Sequence, residues 1–230
     1  LFADQKLKKN FNYSLKYVQP NYRKTFDFIT GKSSSIITSD IDYKIPMEKL
    51  GYDSQFIPNP INTDKISFKP LKITDKVIVF LGINESSSIK KGSEFFEKAL
   101  EIIKEKYLNQ VETIVTKSIQ YEQYIEVYDK AHILLDQVYS YDQGYNALEA
   151  MAKGKVVFTG AENEFYKQYN LTEKVAINAL PDVEYLVDEL SYLIENPNEI
   201  ITIGKRARAF VEKEHDYIKI AEKYLEAWNS

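Results

Sequence analysis

An α/β protein with a doubly wound parallel sheet is what the sequence predicts, and three observations predict it. Short apolar runs end in glycine or turn residues, the mark of strands buried on both faces. Each run leads into a stretch with apolar residues at helical spacing. The alternation recurs several times after residue 70, and strands alternating with helices of this length imply parallel pairing.

The first strand of that series is "KVIVFLG" at 76–82. "INESSSIK" leads from it into a helix over 91–107, where Phe95, Phe96, Ala99, Leu100, Ile103 and Tyr107 share one face. "VETIVT" (111–116) is the second strand and "YEQYIEVYDKA" the second helix. "HILLDQ" (132–137) is the third strand; a loop and the helix of "GYNALEAMAKG" follow, with Gly154 placed as a left-handed C-cap. "KVVFTG" (155–160) and "KVAIN" (174–178) supply the fourth and fifth strands. From Asp182 onward, two or three amphipathic helices are expected to pack on the outside.

Residues ahead of this series read differently. A helix in "QKLKKNFNYSLKYV" before Pro20, a strand at 34–39 and a helix at roughly 43–51 are too little for an independent core. "IPNPINTDKISFKP" (57–70), with three prolines and no helical period, reads as a linker. Charge shifts beside it: residues 1–70 hold 11 Lys/Arg against 7 Asp/Glu, and residues 71–230 hold 19 against 27. The expected organisation is therefore a partial N-terminal segment and linker over 1–64 and a ligand-binding domain with its C-terminal helices over 65–230. Because the sequence opens on Leu1, an upstream segment is also expected.

Composition narrows the function. A net charge of −4 argues against a nucleic-acid binder. With no cysteine and two distant histidines, His132 and His215, thiolate and His-rich metal sites are not expected. No apolar run nears the ~20 residues of a membrane span, and no signal peptide is evident, so a cytoplasmic location is the default. The basic, aromatic stretch of Lys6, Lys8, Lys9, Phe11, Tyr13, Lys16 and Tyr17 could touch an anionic membrane surface or cover a missing neighbour. His132, opening a buried strand, reads as structural.

Ligands of such sheets bind at the carboxyl ends of the strands, near helix starts. "LGINESSSIKKG", "VTKSIQ" and "DQVYSYDQGY" fall there. Gly144 would let backbone N–H groups approach a phosphate at the positive end of a helix dipole. Glu149, a turn and a half further in, has no basic residue one turn away. It either faces solvent or accepts hydrogen bonds from a ligand such as a ribose hydroxyl pair. Lys91 would add a point charge to a diphosphate, or is an ordinary surface lysine. Asp40-Ile41-Asp42 is a D-x-D triplet that elsewhere can hold a metal, and triplets this short recur by chance.

"GYNALEAMAKGKVVFTG" resembles the E-x7-E nucleotide-sugar signature of retaining glycosyltransferases with the two-domain GT-B fold. "IPNPIN" is similar to that family's interdomain linker, and "FLGINESSSIKKG" to its basic diphosphate loop. The likeness runs from roughly residue 34 to 213. It implies a Rossmann-like C-terminal domain of a GT-B fold, with residues 1–64 forming the tail of an acceptor-binding domain. It also implies that Glu149 contacts the donor ribose and that Gly144 and Tyr145 start the phosphate-binding helix. Lys91 and Gly92 would form the basic loop, and Gly82 would end the first strand. The first Glu of the signature falls on Tyr141, beside Asp142, so these two are the candidate sugar contacts; Ile83 stands where the family has Arg.

The implied activity is retaining transfer from a nucleotide-diphosphate sugar in polysaccharide or glycoconjugate synthesis, with no metal or other cofactor. The partners implied are the nucleotide sugar and a glycan or lipid-linked acceptor held by the N-terminal domain, with peripheral contact at the inner membrane face. The alternative is a non-catalytic Rossmann-like module that binds nucleotide or a partner without transfer.

Overall fold

A computed structural model describes residues 20–229 of the chain. The basic aromatic stretch and the helix expected before Pro20 lie outside the described residues. The N-terminal segment holds α1 (Pro20–Thr30), β1 (Ile37–Thr38), α2 (Ile41–Lys49) and β2 (Gln55–Phe56), with β1 and β2 paired in parallel. Helix α1 had no counterpart in the sequence reading. None of its residues is buried, so no core-facing stripe of apolar side chains announces it. Pro20 at its first position and the Arg23–Asp27 pair one turn apart, at 2.9 Å, favour it locally.

The main body alternates strand and helix: β3 (Val77–Ile83), α3 (Ser88–Lys91), α4 (Ser93–Lys106), β4 (Val111–Lys117), α5 (Tyr121–Lys130), β5 (Ile133–Leu135), α6 (Tyr145–Ala152), β6 (Val156–Thr159), α7 (Asn163–Tyr169) and β7 (Ile177–Asn178). Three outer helices follow: α8 (Val183–Glu195), α9 (Pro197–Glu214) and α10 (Tyr217–Asn229). The five strands run parallel in the order β4-β3-β5-β6-β7. The chain leaves β3 for β4, then returns to the other side of β3 for β5. That reversal creates a crevice at the carboxyl ends of the strands.

Both faces of the sheet are covered, as its unbroken apolar runs require. Val79, Leu81, Ile133, Leu135, Val156 and Phe158 pack toward Phe96, Leu100 and Ile103 of α4 and Leu190 of α8. The alternate positions Phe80, Leu134 and Val157 meet Tyr128, Leu148, Met151, Phe165 and Phe210 on the other face. His132 takes the structural part expected of it: Nδ1 accepts from the amide of Ile78 at 3.0 Å. At β7 only Ile177 and Asn178 pair, against an expected strand from 174.

The proline-containing stretch 57–70 is more anchored than a linker needs to be. Ile57 and Ile61 are buried, and Ile61 forms a parallel bridge with Asp216 between α9 and α10. His215 Nδ1 lies 2.8 Å from the Asn59 carbonyl, which fixes the proton there and leaves Nε2 without a partner. Burial drives the His215 pKa down to about 4, so the ring is neutral. Ile57 packs with Ile220 and Ala227 of α10. No helix among the described residues is long and apolar enough to cross a membrane.

Candidate functional site

A cavity of about 420 Å³ opens at the carboxyl edge, lined by Gly82 near the end of β3 and Asn84 after it, Thr116 near the end of β4 and Ser118 after it, Lys91, and Asn146 of α6. Gly82 is required there sterically: a Cβ on it would sit 2.4 Å from the Tyr124 ring, which also packs on Phe80 with centroids 5.2 Å apart. Gly92 adopts a left-handed φ of 66° between α3 and α4, and its missing side chain leaves room for Val138. Ser118 is also left-handed, at φ 46°, held by its amide donating to the Ile83 carbonyl at 2.8 Å. A non-glycine residue in that region marks stored backbone strain at the cavity wall.

Helix α6 begins at Gly144 with no side chain capping it. A Cβ at Gly144 would meet nothing within 4 Å, so the approach to the first amides of α6 is open. Those amides carry the positive end of the helix dipole. Leu148, Met151 and Ala152 are fully buried, so α6 is fixed against the sheet as expected.

Lys91 lines the cavity, but its ammonium is not a free point charge. It lies 2.7 Å from the buried carboxylate of Asp136. Asp136 also accepts from Asn146 Nδ2 at 3.1 Å and from the Thr159 hydroxyl at 3.4 Å. Asn146 in turn accepts from the Tyr124 hydroxyl at 2.8 Å through its side chain, and its carbonyl accepts from Tyr128 at 3.1 Å. Burial raises the Tyr124 pKa to about 12, so this phenol stays a donor. Sequence reasoning passed over Asp136, Asn146 and Tyr124. An acid closing the apolar run "HILLD" was the available signal, because a carboxylate buried there needs a partner.

Gly82 and Lys91 therefore share one cavity with Asn146 of α6, while Gly92 lies between α3 and α4 and Gly144 precedes α6. Tyr145 is half exposed beside it. Glu149 lies one turn past Asn146, exposed, near enough to the Tyr124 and Tyr128 phenols for its charge to be felt. No hydrogen bond or ion pair among the described residues engages its side chain.

Of the two candidate sugar contacts, Asp142 is engaged through its side chain and Tyr141 through its backbone amide. Asp142 is 4% exposed and accepts from the amide of Ile41 at 2.9 Å. The amide of Tyr141 donates to Asp42 at 3.1 Å, and the Ser140 hydroxyl also donates to Asp42. Asp40, the third carboxylate of this group, caps α2 by accepting from the Tyr43 amide at 3.1 Å. The D-x-D triplet thus ties residues 40–42 to the loop before α6. Burial first, then the charges of Asp40 and Asp42, push the Asp142 pKa to about 8, and burial raises that of Asp40 to about 6.

A doubly wound parallel sheet with an open cavity at its carboxyl edge, beside the start of a helix, defines a Rossmann-like domain. The family model described as "Glycosyl transferase-like" matches residues 92–226, more than half of the sequence, and the chain belongs to that family. The fold is that of the C-terminal domain of GT-B glycosyltransferases. Sucrose-phosphate synthase from Thermosynechococcus elongatus is similar over 94% of this chain and 65% of its own, with a TM-score of 0.66 at 18% identity. Anabaena HepE, solved with UDP and glucose, is similar over 86% of this chain and 63% of its own, with a TM-score of 0.63 at 14% identity. A variant of TarM from S. aureus, solved with UDP among its ligands, matches 87% of this chain and 45% of its own, with a TM-score of 0.66 at 15% identity. The chain thus spans between about half and two thirds of these structures. No curated protein matches it.

Proposed function

We propose that the chain is the donor-binding part of a glycosyltransferase using a nucleotide-diphosphate sugar. One observation carries this reading: Gly82, Lys91 and Asn146, in the first turn of the uncapped helix α6, line a single cavity at the carboxyl edge. The diphosphate sits on the α6 amides beside Lys91, and Glu149 accepts hydrogen bonds from the ribose. The similar proteins solved with UDP support the ligand class, and the family supports the transfer.

Transfer retains the anomeric configuration and uses no metal, the helix start and Lys91 stabilising the leaving diphosphate. The acceptor is a glycan or a lipid-linked glycan, held by a further domain, in polysaccharide or glycoconjugate synthesis on the cytoplasmic side of a membrane. Tyr141 or Asp142 contacts the sugar only if the loop joining β5 to α6 rearranges, since both are tied to residues 41–42.

The test is a thermal-shift panel of UDP, GDP and ADP against their nucleosides. Stabilisation by one diphosphate should reach about 2.7 kcal/mol at a hundredfold excess over Kd, with little effect from its nucleoside. Equal response to nucleoside and diphosphate would reject the site. Binding without transfer by the chain joined to its acceptor domain would support a non-catalytic module. An inverted product, or activity abolished by EDTA and restored by manganese, would overturn the mechanism.

A further inference from the structure

A second cavity, of about 150 Å³, lies at the other end of the strands. Four stretches of chain meet there: Lys69 and Lys72 ahead of β3, Asp129 and Lys130 ending α5, His132 ahead of β5, and Lys153 and Lys155 between α6 and β6. Five ammonium groups face one carboxylate, a balance of +4. The end of α5 offsets about half a charge, and His132 adds none, because burial lowers its pKa and keeps the ring neutral. The end of α6 offsets about as much again, and about three positive charges remain.

Structural duties use up part of this charge. Lys153 pairs with Asp129, and Lys69 lies 3.5 Å from the same carboxylate. Lys155, only 3% exposed, donates to the carbonyls of Asp129 at 3.0 Å and Ala131 at 2.6 Å. An ammonium has three N–H donors; these two carbonyls engage two of them, the ammonium also lies 5.8 Å from the centroid of the Tyr128 ring, and Lys155 lines the cavity. Burial, followed by the charges of Lys153 and Lys69, brings the Lys155 pKa down to about 8. One carboxylate does not balance this crowding of like charge, and an anion in the cavity would.

We propose that this cavity binds a phosphoryl group, with Lys155 at its base and Lys69, Lys72 and Lys130 around its rim. Its volume of about 150 Å³ leaves room for a phosphate group. A bound phosphate would tie the segment ahead of β3 to the ends of α5 and α6, away from the donor cavity. The same chemistry is supplied by free phosphate or by the headgroup of an anionic lipid.

The test titrates inorganic phosphate into the whole chain at constant ionic strength, following amide shifts by NMR. Saturable shifts centred on residues 129–132 and 153–155 are expected. The triple variant Lys69→Gln/Lys72→Gln/Lys130→Gln alters only exposed side chains, and should weaken phosphate at least tenfold while leaving the UDP-induced thermal shift unchanged. Phosphate also stabilises proteins generically by exclusion from their surface. Shifts that do not saturate, or that persist in the triple variant, would therefore overturn the site. Co-sedimentation with phosphatidylglycerol vesicles, lost in the triple variant and competed by free phosphate, assigns the ligand to a lipid headgroup. Saturable phosphate binding without co-sedimentation assigns it to soluble phosphate.

Discussion

At the carboxyl edge of the sheet Lys91 is matched by Asp136, whereas at the amino edge five lysines share Asp129. The helix directions account for much of the difference. Helix starts, with their free amides, point toward the carboxyl edge and supply positive potential without any cation. Helix ends point toward the amino edge, where Lys155 serves the last carbonyls of α5. A count of basic residues alone would rank the amino edge as the donor site. The open amides, the glycines and the strained Ser118 rank the carboxyl edge above it.

The comparison is broken hardest by Asp136→Ala. It removes the shared acceptor of Lys91, Asn146 and Thr159, and splitting a buried pair typically costs 3–5 kcal/mol; with Lys91 about 30% exposed, a loss of about 2–4 kcal/mol is expected in urea unfolding. Glu149→Gln acts on binding instead. A charge-assisted acceptor is worth about 1.5–3 kcal/mol, so donor affinity should fall roughly 10- to 150-fold by calorimetry with the melting temperature nearly unchanged. A sharp drop in melting temperature with binding intact would make Glu149 structural.

Asp142→Asn sharpens the contrast through pH. Burial holds the Asp142 proton up to about 8, so the folded chain binds it more tightly than the unfolded chain, whose carboxyl titrates near the ordinary 3.8. Its contribution is fully present below that value and is lost as pH rises through about 8. The asparagine variant should flatten that slope and gain several kcal/mol at pH 8, at about 1.4 kcal/mol per pH unit between the two values, with little change at pH 4. The smallest effect is expected at the amino edge, where Lys69→Gln removes one exposed partner of Asp129 and should cost under about 1 kcal/mol in the same unfolding assay.

Strands β3, β5 and β6 were legible because burial on both faces writes an apolar run into the sequence, whereas the edge strand β4 is half exposed and shows only its β-branched residues. Helix α6 was legible from Gly144, its apolar stripe and the family signature together. Helix α1 was not, since it buries nothing and so leaves no periodic trace. The clasp of Asp42 on the Tyr141 amide spans 99 residues and follows from no local rule. The bond from the Ile41 amide to the buried Asp142 carboxylate spans 101 residues and is equally illegible. Lys91 was legible as a cation, but its counter-ion was not, because β5 brings Asp136 beside it only once the sheet has formed.

The anchoring of residues 57–61 to α10 also sets an order of assembly. Ile57 must wait for Ile220, and Ile61 for Asp216, each more than 150 residues later in the chain. At 5–20 residues per second a ribosome needs about 8–30 s to make that stretch. Throughout that interval the sheet's strands are emerging and can pair, while Ile57 and Ile61 remain uncovered. Those two isoleucines are accordingly the segment for which a chaperone has the longest opportunity. A chain stopped before α10 would keep its sheet and the Ile61 bridge yet leave Ile57 without Ile220 and Ala227.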